Sequence, residues 1–221
     1  MVLLSTKKLD EKFKLAFYKN GISLVEEPMI KTTVIDFMWP EIKYGIIITS
    51  SIALEAILNK SKYESLKKFP FFCVGNFTKN KLAKSGFNIL EVENSAEELA
   101  NKITEQYSTR AFNYFCGKQR LNIIENVLKT NNIELLISEV YKTDEISKKV
   151  NGDFDGVLFF SPSAVKSYAL LNSFKSKKIF SWGNTTGKEI AKHTDNFFIS
   201  KKPEINSLIQ MVNKYLKKID A

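Results

Sequence analysis

The sequence predicts an α/β protein built from two parallel-sheet domains, and three observations predict it. Short apolar segments alternate with amphipathic ones along the whole of the 221 residues. The short segments are apolar at consecutive positions, the pattern of strands covered by helices on both faces. A strand–turn–helix pattern near residue 45 returns 111 residues later. About ten strands would also crowd one sheet of this kind, so two smaller sheets fit better.

The elements follow in order. Residues 2–6 are an apolar strand. Residues 8–19 set Leu9, Phe13, Ala16 and Phe17 on one helical face, and Asn20-Gly21 ends the helix. A strand over 23–25 runs towards Pro28. Residues 45–49 form a strand and 52–59 a helix; 71–74 form a strand and 79–85 a helix stopped by Gly86. Next come a strand at 88–92, a helix at 96–106, a strand at 112–116, a helix at 119–129 and a strand at 133–140. The last third repeats the theme, with strands at 157–160, 178–182 and 196–199 and helices at 165–171, 186–192 and 205–218. Parallel strands joined by helices imply right-handed crossovers.

The repeat is specific. Gly45-Ile46-Ile47-Ile48-Thr49-Ser50-Ser51-Ile52-Ala53 matches Gly156-Val157-Leu158-Phe159-Phe160-Ser161-Pro162-Ser163-Ala164 at a constant offset of 111. Cys73-Val74-Gly75-Asn76-Phe77-Thr78 matches Ser181-Trp182-Gly183-Asn184-Thr185-Thr186 at an offset of 108. Two matched turns in the same order argue against chance.

Composition narrows the function classes. A hydrophobic fraction of 44% supports a real core. The formal net charge of +9 comes almost wholly from lysines spread along the chain; Arg110 and Arg120 are the only arginines. Base-reading proteins rely on arginine, so a solvated surface is the default reading and no nucleic-acid partner is expected. A polyanionic small substrate stays compatible with this charge. No apolar run reaches membrane-helix length, and the start of the chain lacks a signal-peptide pattern, so a cytoplasmic protein is expected. Cys73 and Cys116 sit in apolar runs and read as buried thiols. The single His193 supports neither a metal site nor a Ser–His–Asp arrangement. Neither GxGxxG nor a P-loop occurs, so no cofactor is expected.

Each repeated turn puts Ser, Thr, Asn or Gly where a strand ends and a helix begins. Free backbone N–H groups and the positive end of the helix dipole meet there and suit carboxylates or phosphates. Ligands of open α/β sheets bind outside these strand ends. Taken singly, Ser50, Ser51, Ser161, Ser163, Thr78 and Thr185 are also plain helix caps.

With those turns in place, the chain resembles the uroporphyrinogen-III synthase family. Thr49-Ser50-Ser51-Ile52-Ala53 resembles its "TS-x-x-A" turn, and Val74-Gly75-Asn76-Phe77-Thr78 its "VG-x-x-T". Ser161-Pro162-Ser163-Ala164-Val165 resembles "SPSAV", Gly183-Asn184-Thr185-Thr186 resembles "G-x-TT", and Val140-Tyr141-Lys142-Thr143 resembles "vYrt". Two departures stand out: Thr6-Lys7 replaces an opening "TR", and Ser51 replaces a usual proline. The resemblance implies two flavodoxin-like domains joined by a two-stranded linker. One combines residues 1–32 with 142–221, the other is 33–141, and the linker strands lie near 28–33 and 138–143. The mirrored turns would face each other across a cleft.

The resemblance further implies a cyclising lyase of tetrapyrrole (haem or sirohaem) biosynthesis. Its substrate is hydroxymethylbilane, an octacarboxylate linear tetrapyrrole, which it closes to uroporphyrinogen III with loss of water and inversion of ring D. It implies a catalytic Tyr141, whose phenol would assist loss of the hydroxyl. Substrate carboxylates are expected at Ser50, Ser51, Gly75, Asn76, Thr78, Ser161, Ser163, Gly183, Asn184, Thr185, Thr186 and Lys7. A monomer is implied, with transient handover from hydroxymethylbilane synthase and no membrane partner. A two-lobed small-ligand binding module without catalysis is the alternative. Receiver-type chemistry fits less well, because these strand ends carry Ser and Thr rather than an acidic cluster.

Overall fold

A computed structural model describes residues 1–216. In chain order it contains β1 (Val2–Ser5), α1 (Glu11–Tyr18), β2 (Ser23–Glu26), β3 (Ile30–Val34), β4 (Gly45–Ile48) and α2 (Ser51–Leu58). A 3-10 helix, Ser61–Lys68, follows; then come β5 (Pro70–Val74), α3 (Asn76–Lys84), β6 (Asn88–Glu93) and α4 (Ala96–Gln106). The remainder is β7 (Phe112–Gly117), α5 (Ile123–Thr130), β8 (Leu135–Glu145), β9 (Gly156–Phe159), α6 (Pro162–Ala169), β10 (Lys178–Ser181), α7 (Asn184–Ile190), β11 (Phe197–Ile199) and α8 (Ile205–Leu216). The chain divides into two compact units. Unit 1 is Met1–Lys31 with everything from Asp144 onward, and unit 2 is Thr32–Thr143.

Unit 1 holds a parallel sheet in the order β2-β1-β9-β10-β11. Numbered along the chain this is 2-1-3-4-5, the flavodoxin order. Consecutive residues of its strands go to opposite faces, and both faces are buried. Leu3, Leu158 and Phe180 pack with Phe13, Phe17 and Val212 on one side. Leu4, Val157, Phe159 and Ile179 pack with Val165, Tyr168 and Ile190 on the other. Each fully buried side chain of this size contributes about 2 kcal/mol.

Unit 2 is built likewise. Ile46, Ile48, Phe71, Cys73 and Phe115 serve one face. Ile47, Phe72, Phe112, Tyr114 and Cys116 serve the other. Its order is β8-β7-β4-β5-β6, with β3 beyond β8. The Ile35 N–H donates to Val140 O and the Ile146 N–H to Met29 O, so one strand recedes as the other advances, as in an antiparallel pair.

The two sheets correspond strand for strand. β9-β10-β11 of unit 1 stand where β4-β5-β6 stand in unit 2, and β1-β2 stand where β7-β8 do. One layout is therefore threaded in two circularly permuted ways. The repeat seen in the sequence extends to the whole chain, and each unit takes a β-α-β pair from one copy and the rest from the other. Glycine opens both repeated strands because nothing larger fits. A Cβ on Gly45 would lie 2.6 Å from the Phe72 ring, and one on Gly156 would lie 2.6 Å from the Lys178 carbonyl oxygen.

Several helix starts differ from the sequence expectation. α1 begins at Glu11 because the Asp10 carboxylate accepts the Phe13 N–H at 2.8 Å and caps it there. α3 begins three residues earlier than its periodicity suggests, directly after Gly75. α5 begins at Ile123, not 119, because residues 118–122 form a loop held by Arg120. The 3-10 helix has no counterpart in the sequence reading. The expected helix 205–218 is observed to Leu216; residues 217 and 218 lie outside the described residues.

Candidate active site

In unit 2 the carboxyl ends of β4, β5, β7 and β8 carry the polar groups. Ser50 caps α2, its hydroxyl accepting the Ile52 N–H at 3.2 Å, and Ser51 is the first residue of that helix. Gly75 caps α3 with φ of +80°, a conformation open to glycine and costly for other residues. The turn therefore starts a helix within one residue of the strand. Asn76 opens α3 and is exposed, whereas Thr78 is buried at 5% exposure. Beside them Thr49 and Tyr114 share a hydrogen bond of 2.9 Å between their hydroxyls.

Tyr141 sits within β8, where the pairing of β8 with β7 ends, and is partly buried. Burial raises its phenol pKa above the ordinary value, and a hydrogen bond with the Ser50 side chain offsets part of that rise. The β7–β8 register slips here: Cys116 pairs with Glu139, but Gly117 pairs with Tyr141. Val140 is the extra residue of a bulge, a device that re-aims side chains. Arg120 closes the end of these strands. It donates to the Gly117 carbonyl at 3.0 Å and to Glu139 at 2.9 Å, and pairs with Glu125.

In unit 1 the equivalent ends are those of β1, β9 and β10. Ser161 caps α6, accepting the Ala164 N–H at 3.3 Å, and Ser163 lies in the first turn. Gly183 caps α7 with an extended backbone that any residue adopts. Asn184 and Thr185 are exposed, and Thr186 is buried at 4% exposure. Lys7 follows β1, its ammonium 4.6 Å from the centre of the Phe160 ring. Phe160 also packs against Trp182 at 5.7 Å, so aromatic rings flank the Ser161 and Gly183 turns. Sequence reasoning missed this aromatic pair, along with Gly117 and Arg120. The alternation of Phe160 and Trp182 with the matched turn residues was the available signal for the first. A concavity of about 390 Å³ between α1 and α8 lies away from these turns, as does one of about 450 Å³ beside α5 and β8 in unit 2.

Each unit is thus a doubly wound α/β fold that presents capped helix starts, rich in Ser, Thr, Asn and Gly, at its strand ends. This arrangement defines a two-unit, doubly wound α/β protein whose helix starts are of the kind that suits anions. The chain belongs to the uroporphyrinogen-III synthase family: the model of that family, described as uroporphyrinogen-III synthase HemD, matches residues 11–210. Its fold is similar to that of uroporphyrinogen-III synthetase from Helicobacter pylori 26695, with a TM-score of 0.69 at 15% identity over 96% of this chain and 98% of that one. A mutant uroporphyrinogen III synthase from the extremely thermophilic bacterium Thermus thermophilus gives a TM-score of 0.68 at 14% identity, over 99% of this chain and 100% of that one. At these identities the likeness is one of fold. A search of curated proteins finds no match. Among the described residues no helix is long and apolar enough to cross a membrane.

Proposed function

We propose that this chain is a cyclising lyase that converts hydroxymethylbilane to uroporphyrinogen III. Family membership supports the substrate and product, and one observation supports the chemistry: the Tyr141 phenol, placed beside Ser50 where β8 leaves its pairing with β7. A phenol is protonated at neutral pH, as an acid must be, and burial shifts Tyr141 further in that direction. The Ser50 hydroxyl accepts the Ile52 N–H, and on this reading it turns its own hydrogen towards the phenol oxygen. The phenol hydrogen is then left for the hydroxyl of the substrate's ring A.

Loss of that hydroxyl as water breaks its C–O bond, and the pyrrole nitrogen supplies the electrons, giving an azafulvene cation. Ring D attacks this cation through its substituted carbon to form a spiro intermediate. Fragmentation and reclosure leave ring D inverted. The uncatalysed compound closes without inversion, so holding the geometry is the larger task, and orientation supplies it without further acid–base groups. The helix starts at Ser50-Ser51, Gly75-Asn76, Ser161-Ser163 and Gly183-Asn184-Thr185, with Lys7, bind substrate carboxylates. Most of those contacts come from backbone N–H groups. The net charge of +9 favours approach of an octacarboxylate. The enzyme acts without a cofactor, as a cytoplasmic monomer that takes its unstable substrate directly from hydroxymethylbilane synthase.

The test generates hydroxymethylbilane in situ, incubates it with the protein, oxidises the product and separates type I from type III uroporphyrin. A dominant type III product is expected. Tyr141→Phe is expected to lower kcat about 100-fold, the low end for loss of an acid group. Type I product alone, equal to a control without protein, would leave a binding module without catalysis as the better reading.

A further inference from the structure

We infer that Gly117 is a positioning residue for the reaction: its missing side chain forms the seat of the Tyr141 phenol, and Arg120 holds that seat in place. The inference rests on the role proposed for Tyr141. A Cβ built on Gly117 would lie 2.6 Å from Tyr141 Cζ, 2.7 Å from Cε2 and 2.9 Å from the phenol oxygen. The ring and its hydroxyl therefore rest directly on the Gly117 backbone. Its backbone does not demand glycine, since Gly117 is absent from the residues of positive φ; the close approach does.

Three features fix the phenol there. The bulge at Val140 puts Tyr141 opposite Gly117, so the ring falls over the empty position. The Lys118 N–H donates to the Tyr141 carbonyl at 2.8 Å, which locks the register. Arg120 Nη1 donates to both the Gly117 carbonyl and Glu139, while Nε pairs with Glu125. Even the smallest side chain at 117 must displace the phenol from its seat by a large fraction of an ångström. Misplacement on that scale costs about 10- to 100-fold in rate when orientation dominates.

The experiment is a cycle of four proteins: the unchanged enzyme, Gly117→Ala, Tyr141→Phe and the double variant. Phenylalanine keeps the ring and so keeps the steric conflict, but lacks the hydroxyl. Any cost to folding is then the same in both backgrounds, and a cost to positioning appears only where the hydroxyl is present. Gly117→Ala is expected to lower kcat at least about tenfold with KM changed less than about threefold. In the Tyr141→Phe background the same change is expected to cost less than about twofold. Equal losses in the two backgrounds would overturn the inference and leave Tyr141 in its role. Full turnover by Tyr141→Phe alone would overturn the role of the phenol, and the seat with it. Arg120→Lys gives a second route that adds no atom beneath the ring. It keeps the positive charge but loses the planar guanidinium that ties the carbonyl to Glu125 and Glu139, and its kcat loss is likewise expected only where the hydroxyl is present. A loss that persists without the hydroxyl overturns the inference.

Discussion

Arg120→Met gives a stability prediction whose size follows from the geometry. Arg120 has a side-chain exposure of 16% and Glu125 one of 14%, so this pair is largely out of water. One oxygen of Glu125, Oε2, is buried without a hydrogen-bond partner among the described residues. Removing the guanidinium strands that carboxylate, and breaking one side of a buried pair costs about 3–5 kcal/mol. Glu139 is 41% exposed and screened by solvent, so its share is below about 0.5 kcal/mol. The low end, about 3 kcal/mol, is expected because Glu125 retains some access to water. Adding Glu125→Leu is expected to recover most of it, since an apolar pair of similar volume replaces a buried ion pair at little cost. Urea unfolding measures both. The only tryptophans are Trp39 in unit 2 and Trp182 in unit 1, so a Trp182→Phe background makes fluorescence report on unit 2 alone. With m near about 2 kcal/mol/M, the single variant's midpoint falls by about 1.5 M. A single-variant loss under about 1 kcal/mol, or a Glu125→Leu change that deepens the loss instead of repairing it, refutes the reasoning.

Three further outcomes are expected. Gly75→Ala, at φ of +80°, costs about 1–3 kcal/mol, while Gly183→Ala, with an extended backbone and open space around it, stays within about 0.5 kcal/mol; thermal unfolding compares them. Burial pushes the Cys73 thiol up to about 11 and the Cys116 thiol up to about 12 from 9.0. Folded-state values raised in this way give stability that is full below the unfolded value and lost as pH rises through the folded ones. Stability therefore declines above about pH 9, and a Cys73→Ala/Cys116→Ala protein declines less steeply in denaturant titrations over that range. Thr186→Ala changes kcat/KM by less than about threefold in the isomer assay, because the Thr186 side chain is buried in α7 and backbone groups carry the carboxylate contacts.

The strands were legible in the sequence because runs such as Leu3-Leu4 and Ile46-Ile47-Ile48 are buried on both faces, and no loop tolerates such runs. The helix starts were less legible. Periodicity registers only once a helix has a buried face, and so misses a first turn of exposed Asn76 and Phe77 after Gly75. Long-range partners left no local trace. Asn113 is fully buried, and its amide accepts the Lys43 N–H at 2.7 Å and donates to the Glu41 carbonyl at 2.9 Å. Nothing near residue 113 announces partners 70 residues away. Tyr141 stood out by family resemblance, but the bulge that aims it and the glycine beneath it exist only once β7 and β8 are paired.

The repeat also bears on how a protein of two like units performs a one-sided reaction. Each unit joins the turns of one copy to a β-α-β pair of the other, so Ser50 of the first copy meets Tyr141 of the second. The reciprocal arrangement in unit 1 sets Ser161 of the second copy at the end of β9, beside β1 of the first. There the two units part. Gly45 pairs with Phe112 and Gly156 with Leu3, so in strand register Gly117 corresponds to Lys8, and Tyr141, at the offset of 111, corresponds to Ile30. Lys8 carries a side chain where Gly117 has none, and Ile30 offers no hydroxyl where Tyr141 has one. Both units keep the capped helix starts that suit carboxylates, while unit 2 alone keeps a seat for a phenol. On the proposed function, a substrate with carboxylates along its whole length but a leaving group at one end fits that division: capped helix starts in each unit, and an acid group in unit 2 alone.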